Sequence, residues 1–232
     1  MTGRDLLKFR HELKYVVSKG ELLLIQNRIN NLLTLDSHVD ESGKYNIRSL
    51  YFDDYYNRCF YENENGTDPR EKFRIRIYNH SAERITLECK RKECGKILKT
   101  SCPLTLEQAK LLMTGKTLPN IEEQPPLIQK LTAQMLMRGL HPVIIVEYDR
   151  VPYVYANGNV RITLDTNVSS STAIQHFLDE QIPKRPVMAT GQSLLEVKYD
   201  EYLPDFIYCN LQLENLKQTA FSKYYICRKF SL

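Results

Sequence analysis

Residues 72–77 read Lys-Phe-Arg-Ile-Arg-Ile, and this alternation limits the fold more than any other feature of the chain. Successive side chains of a strand point to opposite faces. Lys72, Arg74 and Arg76 therefore share one face, and Phe73, Ile75 and Ile77 the other. A helix of 3.6 residues per turn would scatter the same cations around its girth. The pattern recurs along the chain. Arg10, Glu12 and Lys14 align, as do Glu88, Lys90 and Lys92, then Arg161, Thr163 and Asp165, then Glu196 and Lys198. Glu-x-Lys appears at 12/14, 88/90 and 196/198. One charged strand face ordinarily means a solvated surface. Several strands with charge on one face, and other faces aliphatic enough to make a core on their own, point to a closed sheet that gathers the charges in its lumen.

Period-two segments cover roughly 9–17, 46–53, 72–78, 84–92, 96–102, 143–151, 160–165 and 194–200, about eight strands. Asn157-Gly158 suits a tight hairpin between the strands that end near Tyr155 and begin near Val160. Helix signals are fewer. Ser18-x-x-Glu21 is a capping box before Leu22, Ile25, Ile29, Leu32 and Leu33, and Thr105-x-x-Gln108 is a second. Pro126 opens a helix stopped by Gly139, Pro204 opens another, and 221–230 reads as a last one. The expectation is an α+β fold: an antiparallel eight-stranded β-barrel tunnel with flanking helices, formed by a single domain over residues 1–232.

Composition narrows the functional classes. Hydrophobic residues make up 42% and charged residues 26% of the 232, ordinary for a globular protein. Met1–Asp5 shows no signal-peptide pattern. The longest aliphatic run is Val143-Ile144-Ile145-Val146, far short of a transmembrane helix of ~20 residues, so a soluble, cytoplasmic protein is expected. The six cysteines form no C-x-x-C pair and the five histidines no H-E-x-x-H, which argues against zinc. The net charge of +4 is mild; its concentration on strand faces is what matters. Cations there suit a polyanion. Carboxylates among them make sense if they hold Mg2+ or Mn2+, which takes hard oxygen ligands and bridges phosphates. A nucleic-acid surface would leave those carboxylates repelling the phosphate backbone.

Four features are set aside. Gly115-Lys116-Thr117 lacks the first glycine of a P-loop, since position 110 is Lys, and no strand precedes it. Asp53-Asp54 ends a strand and reads as a turn. Glu147 and Asp149 alternate with Arg150 and read as outward-facing and structural. His11 and the 15 tyrosines read as packing.

The segments Phe9–Tyr15, Ser49–Asp53, Lys72–Tyr78, Leu87–Lys90, Val146–Arg150, Val160–Asp165, Leu195–Tyr199 and Phe221–Tyr224 together resemble the VTC domain. That is the catalytic domain of the vacuolar transporter chaperone polyphosphate polymerases, in the triphosphate tunnel metalloenzyme superfamily. The resemblance covers nearly the whole chain in order and implies a tunnel-shaped antiparallel barrel. It implies that Arg74 and Arg76 clamp phosphates, and that Lys14, Lys90, Arg150, Arg161, Lys198 and Lys223 line the tunnel, with Lys99 a weaker member. It makes Glu196 the principal metal carboxylate, with Glu12 and Glu88 behind it. The implied reaction moves the γ-phosphoryl of ATP onto inorganic polyphosphate with Mn2+ or Mg2+. A triphosphate hydrolase of the same superfamily and a non-catalytic polyphosphate sensor are the rivals. The eukaryotic SPX-type and transmembrane modules have no counterpart in this sequence, and a membrane-protein partner stays open. Because Arg74 and Arg76 fill no core space, replacing either with Ala is expected to leave the protein thermally stable.

Overall fold

A computed structural model describes residues 9–232. The reading of Met1–Asp5 lies outside the described residues. Ten strands and six α-helices follow in the order β1 (His11–Ser18), α1 (Lys19–Ile29), β2 (Thr34–Leu35), β3 (Tyr45–Asp53), α2 (Arg58–Glu64), β4 (Arg70–Tyr78), β5 (Ser81–Glu93) and β6 (Lys96–Leu104). Then come α3 (Leu106–Met113), α4 (Pro126–Arg138), β7 (His141–Tyr155), β8 (Val160–Ser171), β9 (Arg185–Pro186), β10 (Gln192–Tyr199), α5 (Asp205–Leu211) and α6 (Lys223–Lys229).

Eight strands form one antiparallel sheet in the order β1-β10-β8-β7-β3-β4-β5-β6; the two-residue strands β2 and β9 pair with β7 and β8. The sheet curls until its edges meet. Arg10, just before β1, exchanges backbone hydrogen bonds of 2.9 and 3.0 Å with Ile97 of β6. That bridge joins the two edges at one end, and farther along β1 the edge is covered by the chain at 218–219, where Thr219 donates to the Lys14 carbonyl at 2.8 Å.

The alternation read from the sequence assigns the faces. On the outer face, Phe73, Ile75, Ile77, Ile85, Leu87, Leu50, Phe52 and Ile145 pack under Ala109 and Leu112 of α3 and Ile128 and Leu131 of α4. Val17, Ile162, Leu164, Leu195 and Val197 pack under Leu22, Ile25 and Ile29 of α1 and Ile207 and Leu211 of α5. Both capping boxes form, on Ser18 and Thr105. Pro126 is the first residue of α4, and Gly139 ends it at φ +66°, a left-handed conformation in which a Cβ would cost energy. Leu32 does not belong to the buried stripe: α1 stops at Ile29, and Leu32 is exposed while Leu33 is buried.

The helix α2 is not capped by the residue that immediately precedes it. Its N-cap, Asn57, makes no side-chain cap bond. The capping carboxylate comes from Asp53 at the end of β3, which accepts from the backbone N–H of Cys59 at 2.8 Å and of Phe60 at 3.2 Å. Asp53 also accepts the Tyr224 hydroxyl of α6. Asp54 accepts from the backbone N–H of Tyr56 and Arg58 at 3.0 Å each, so the Asp53-Asp54 turn caps the helix. Helices α2 and α6 lie over the concave side of the sheet, where Tyr51, Val146, Tyr148, Phe60 and Tyr224 form a third cluster. No helix among the described residues is long and apolar enough to cross a membrane.

Candidate active site in the lumen of the sheet

The concave face follows from the register. Lys14 lies opposite Glu196 and Glu12 opposite Lys198. Glu196 lies opposite Thr163 and Lys198 opposite Arg161. Arg150 faces Asp165, Ser49 faces Arg76, Arg74 faces Glu88, Lys72 faces Lys90, and Lys90 faces Lys99. A period-two pattern in every strand thus becomes one inner wall. Lys223, from the first turn of α6, is added to it. The wall carries a surplus of cations, among them Lys14, Lys72, Arg74, Arg76, Lys90, Lys99, Arg150, Arg161, Lys198 and Lys223, over its carboxylates, which include Glu12, Glu88, Asp165 and Glu196.

Two ion-pair groups organise the wall. In the first, Glu196 is bracketed by Lys198 at 2.9 Å, Lys223 at 3.1 Å, Arg150 at 3.3 Å and Lys14 at 3.5 Å. Asp165 accepts two 2.6 Å bonds from Arg150 and lies 2.6 Å from Lys223. Glu12 receives Lys90 at 2.8 Å and Lys14 at 3.1 Å. In the second, Arg74 donates to Glu88 at 2.7 Å through Nε and to the Tyr51 hydroxyl at 2.8 Å. Lys99 lies 3.2 Å and Arg76 3.6 Å from Glu88. Arg76 also donates to Ser49 Oγ at 3.1 Å and to the Tyr148 hydroxyl at 3.4 Å.

These partners set the protonation states. Burial pushes the Glu196 carboxyl up, but Lys198, Lys223, Lys14 and Arg150 outweigh it and hold the group well below the usual carboxylate range. Burial also raises Glu12 and Glu88. Lys90, Lys14 and Lys198 reverse the effect at Glu12, and Arg76, Arg74 and Lys99 reverse it at Glu88. All three are carboxylates at neutral pH. Burial draws Lys90 down to about 7, against the pull of Glu12 and with the push of Lys14 and Lys198.

Of the residues read from the sequence, Lys14, Lys90, Arg150, Lys198, Lys223, Glu12 and Glu196 gather in the first group, and Arg74, Arg76, Glu88 and Lys99 in the second. Arg161 stands apart, donating to Asp36 at 2.7 Å and the Tyr45 hydroxyl at 2.9 Å. The carboxylate set Glu12, Glu88 and Glu196 does not converge, because Glu88 belongs to the other group. Among the described residues no three His, Cys, Asp or Glu side chains assemble as metal ligands.

Asp165 and Lys72 share strand faces with residues already singled out, and that alignment was the signal for both. The tyrosines had none. Tyr148 lies under Arg150 at 5.2 Å and Lys223 at 4.6 Å, and Tyr51 under Arg74 at 5.7 Å, so these rings support cations as well as packing. The features set aside behave structurally. Glu147 points outward to Arg48 at 2.6 Å, Asp149 accepts from Asn46 and Asn167, and His11 stacks on Tyr199. Gly115-Lys116-Thr117 follows the C-terminal end of α3, not a helix N-terminus, and the N–H groups of Gly115 and Lys116 are taken by the carbonyls of Leu112 and Leu111.

A tunnel of antiparallel strands lined by surplus Lys and Arg with interspersed carboxylates defines the triphosphate tunnel fold. The model of the VTC domain matches residues 9–232, and the chain belongs to that family. A "putative adenylate cyclase" from Bacillus halodurans has a similar structure, with TM-score 0.54 at 17% identity over 93% of this chain and 94% of that one. A "putative adenylyl cyclase" from Hippeastrum, with a dominant triphosphatase activity, aligns with TM-score 0.52 at 13% identity over 97% of both chains. No curated protein matches the sequence.

Proposed function

We propose that this chain is a triphosphate-binding enzyme of the tunnel class that transfers the γ-phosphoryl of ATP onto inorganic polyphosphate, with residues 1–232 acting as one catalytic unit. The observation that carries this reading is the unbalanced inner wall of a VTC-family chain, where Lys and Arg outnumber the carboxylates facing the same lumen. A polyphosphate chain offers the missing negative charge in repeating form.

In the transfer, a terminal oxygen of the polyphosphate forms a new bond to the γ-phosphorus, the bond from that phosphorus to the β–γ bridging oxygen breaks, and ADP leaves. Such a transition state asks for alignment and charge neutralisation more than covalent help. Arg74 and Arg76 are supplied by adjacent positions of one strand face, so two guanidiniums can hold one phosphoryl group from the same side. Arg150, Lys198, Lys223 and Lys14 surround Glu196 and can pass to phosphate oxygens as the anion enters, with Lys90 and Arg161 further along the wall and Lys99 at the β6 side. The attacking oxygen is already anionic, so no strong general base is required.

The donor chemistry fits Mg2+ or Mn2+ in one manner. Glu196 offers hard, ionised oxygens, but among the described residues no set of three such ligands forms around it, so remaining ligands would come from phosphate. Glu196 would hold the ion, with Glu12, which shares Lys14 and Lys198 with it, to assist. The ion would neutralise charge across the phosphate oxygens.

The triphosphatase activity of the Hippeastrum protein favours a second reading, in which water replaces the polyphosphate end and the same wall hydrolyses triphosphate. Incubation with ATP and Mn2+ separates the two. Long polyphosphate supports the polymerase, free phosphate the hydrolase, and neither product a binding role without catalysis.

A further inference from the structure

Lys72 differs from its lumenal neighbours. Lys14, Lys90, Lys99, Lys198 and Lys223 each have a carboxylate at 3.1, 2.8, 3.2, 2.9 and 2.6 Å. Lys72 is held by neutral oxygens only, donating to Asn63 Oδ1 at 2.9 Å and Ser222 Oγ at 3.3 Å, with its Nζ 5.0 Å from the Tyr224 ring centroid. Among the described residues it forms no ion pair. Asn63 belongs to α2, and Ser222 caps α6, the two helices laid over the concave side. Phe221, next to that cap, accepts from Lys14 at 2.8 Å, so the chain at 221–223 crosses the lumen from β1 to β4 and floors it. Lys72 stands on that floor.

An ammonium there has poor company. From β4 it faces Arg70 and Arg74, from β5 Lys90 and Lys92, from β1 Lys14, from α2 Cys59 and Glu62, and from β3 Asp53. The charge of Asp53 is spent on two helix N–H groups and the Tyr224 hydroxyl. Burial pulls Lys72 down to about 7; Cys59 opposes this only as a thiolate, and burial pushes that thiol far up, so it is neutral at neutral pH. A cation so placed costs free energy unless an anion meets it.

We propose that Lys72 is a further phosphate ligand, exchanging the neutral oxygens of Asn63 and Ser222 for those of a phosphoryl group bound at the floor of the lumen. This rests on the triphosphate reading above. It has a consequence that a merely structural lysine lacks. Near neutral pH the group is partly deprotonated, a phosphoryl group favours its ammonium form, and binding therefore takes up a proton at Lys72.

Calorimetric titration with tripolyphosphate at about pH 7.5, in buffers of differing ionisation enthalpy, counts the protons exchanged; Lys90, also drawn down to about 7, contributes in every variant, so the difference from wild type reports Lys72. The wild type should take up protons on binding. Lys72→Met should bind roughly 10- to 100-fold more weakly, the worth of one charge-assisted bond, and take up fewer. Lys72→Arg, always charged, should bind at least as tightly as wild type while also taking up fewer. Wild-type affinity and proton uptake in Lys72→Met would overturn the assignment, as would equal weakening in both variants, which marks a structural role. A Lys72→Met protein that does not fold leaves the decision to Lys72→Arg, whose unchanged proton uptake overturns it. A wild type that binds no tripolyphosphate refutes the triphosphate reading itself, a result distinct from any of these.

Discussion

Replacing Glu196 with Gln removes one negative charge from the centre of four cations while keeping the side chain's size. The cations lie 2.9 to 3.5 Å away, and the carboxylate is almost fully buried. At an effective dielectric of about 20, one such pair is worth roughly 5 kcal/mol before desolvation. Most of that is cancelled by the cost of burying the charges. Deleting one partner of a buried pair costs about 3–5 kcal/mol where the other stays buried without compensation, an upper bound here because Arg150 and Lys223 keep Asp165 and Lys14 keeps Glu12. For a chain of this length that is a fall in Tm of at most roughly 6–20 °C. The same deletion leaves four cations with more to gain from an incoming anion. Glu196→Gln should thus be less stable alone and bind metal-free tripolyphosphate more tightly than wild type. Thermal melts with and without tripolyphosphate read both effects, and the melting shift caused by the ligand should be larger in the variant. If Glu196 also carries the divalent ion, turnover of the variant no longer responds to Mn2+. An unchanged Tm together with weaker tripolyphosphate binding would refute the reasoning, since Glu196 could then be neither counter-ion nor competitor of the anion.

Arg74→Ala and Arg76→Ala should each abolish stabilisation by tripolyphosphate in a melting assay. The expectation that both are thermally neutral does not survive the geometry at Arg74, whose 2.6 and 2.7 Å bonds hold Glu88; its loss should cost about 1.5–3 kcal/mol, partly restored in Arg74→Ala/Glu88→Gln. The Tm of the unliganded protein should rise from about pH 7 to about pH 8. Over that range Lys72 and Lys90, drawn down to about 7, are losing their protons in the folded state, while unfolded lysines near 10.4 keep theirs. The gain should end near about pH 8.5 and then reverse, because Cys59, Cys89, Cys102 and Cys227 are raised by burial and stay protonated when unfolded thiols ionise, and these four outnumber the two lysines. The melting shift caused by tripolyphosphate should shrink as NaCl increases, and a salt-independent shift would argue against electrostatic capture.

The strand alternation was legible because a strand reads out its two faces with no help from distant residues. Lys72, Arg74 and Arg76 declare a shared face by spacing alone, and so do Glu12 with Lys14 and Glu196 with Lys198. Local chemistry also placed helix ends at Ser18, Thr105, Pro126 and Gly139, where the capping group sits within a few residues of what it caps. Signals failed where the stabilising partner is remote. Helix α2 is capped by Asp53 across a turn and tied to Tyr224 from the far end of the chain. Strand β8 continues past Asp165 to Ser171 through a residue at positive φ, Asn167, and its polar end reads as a loop until Ser169 and Ser170 are seen in register with β7 and β9. The charges of the inner wall were thus set by sequence. Which carboxylate meets which cation was not, because pairing depends on strand order, register and the path of residues 221–223 across the lumen. That is why Glu88 parts from Glu12 and Glu196, why Arg161 turns to Asp36, and why Lys72 is left with neutral partners: each follows from contacts between residues far apart in the chain, which no local pattern encodes.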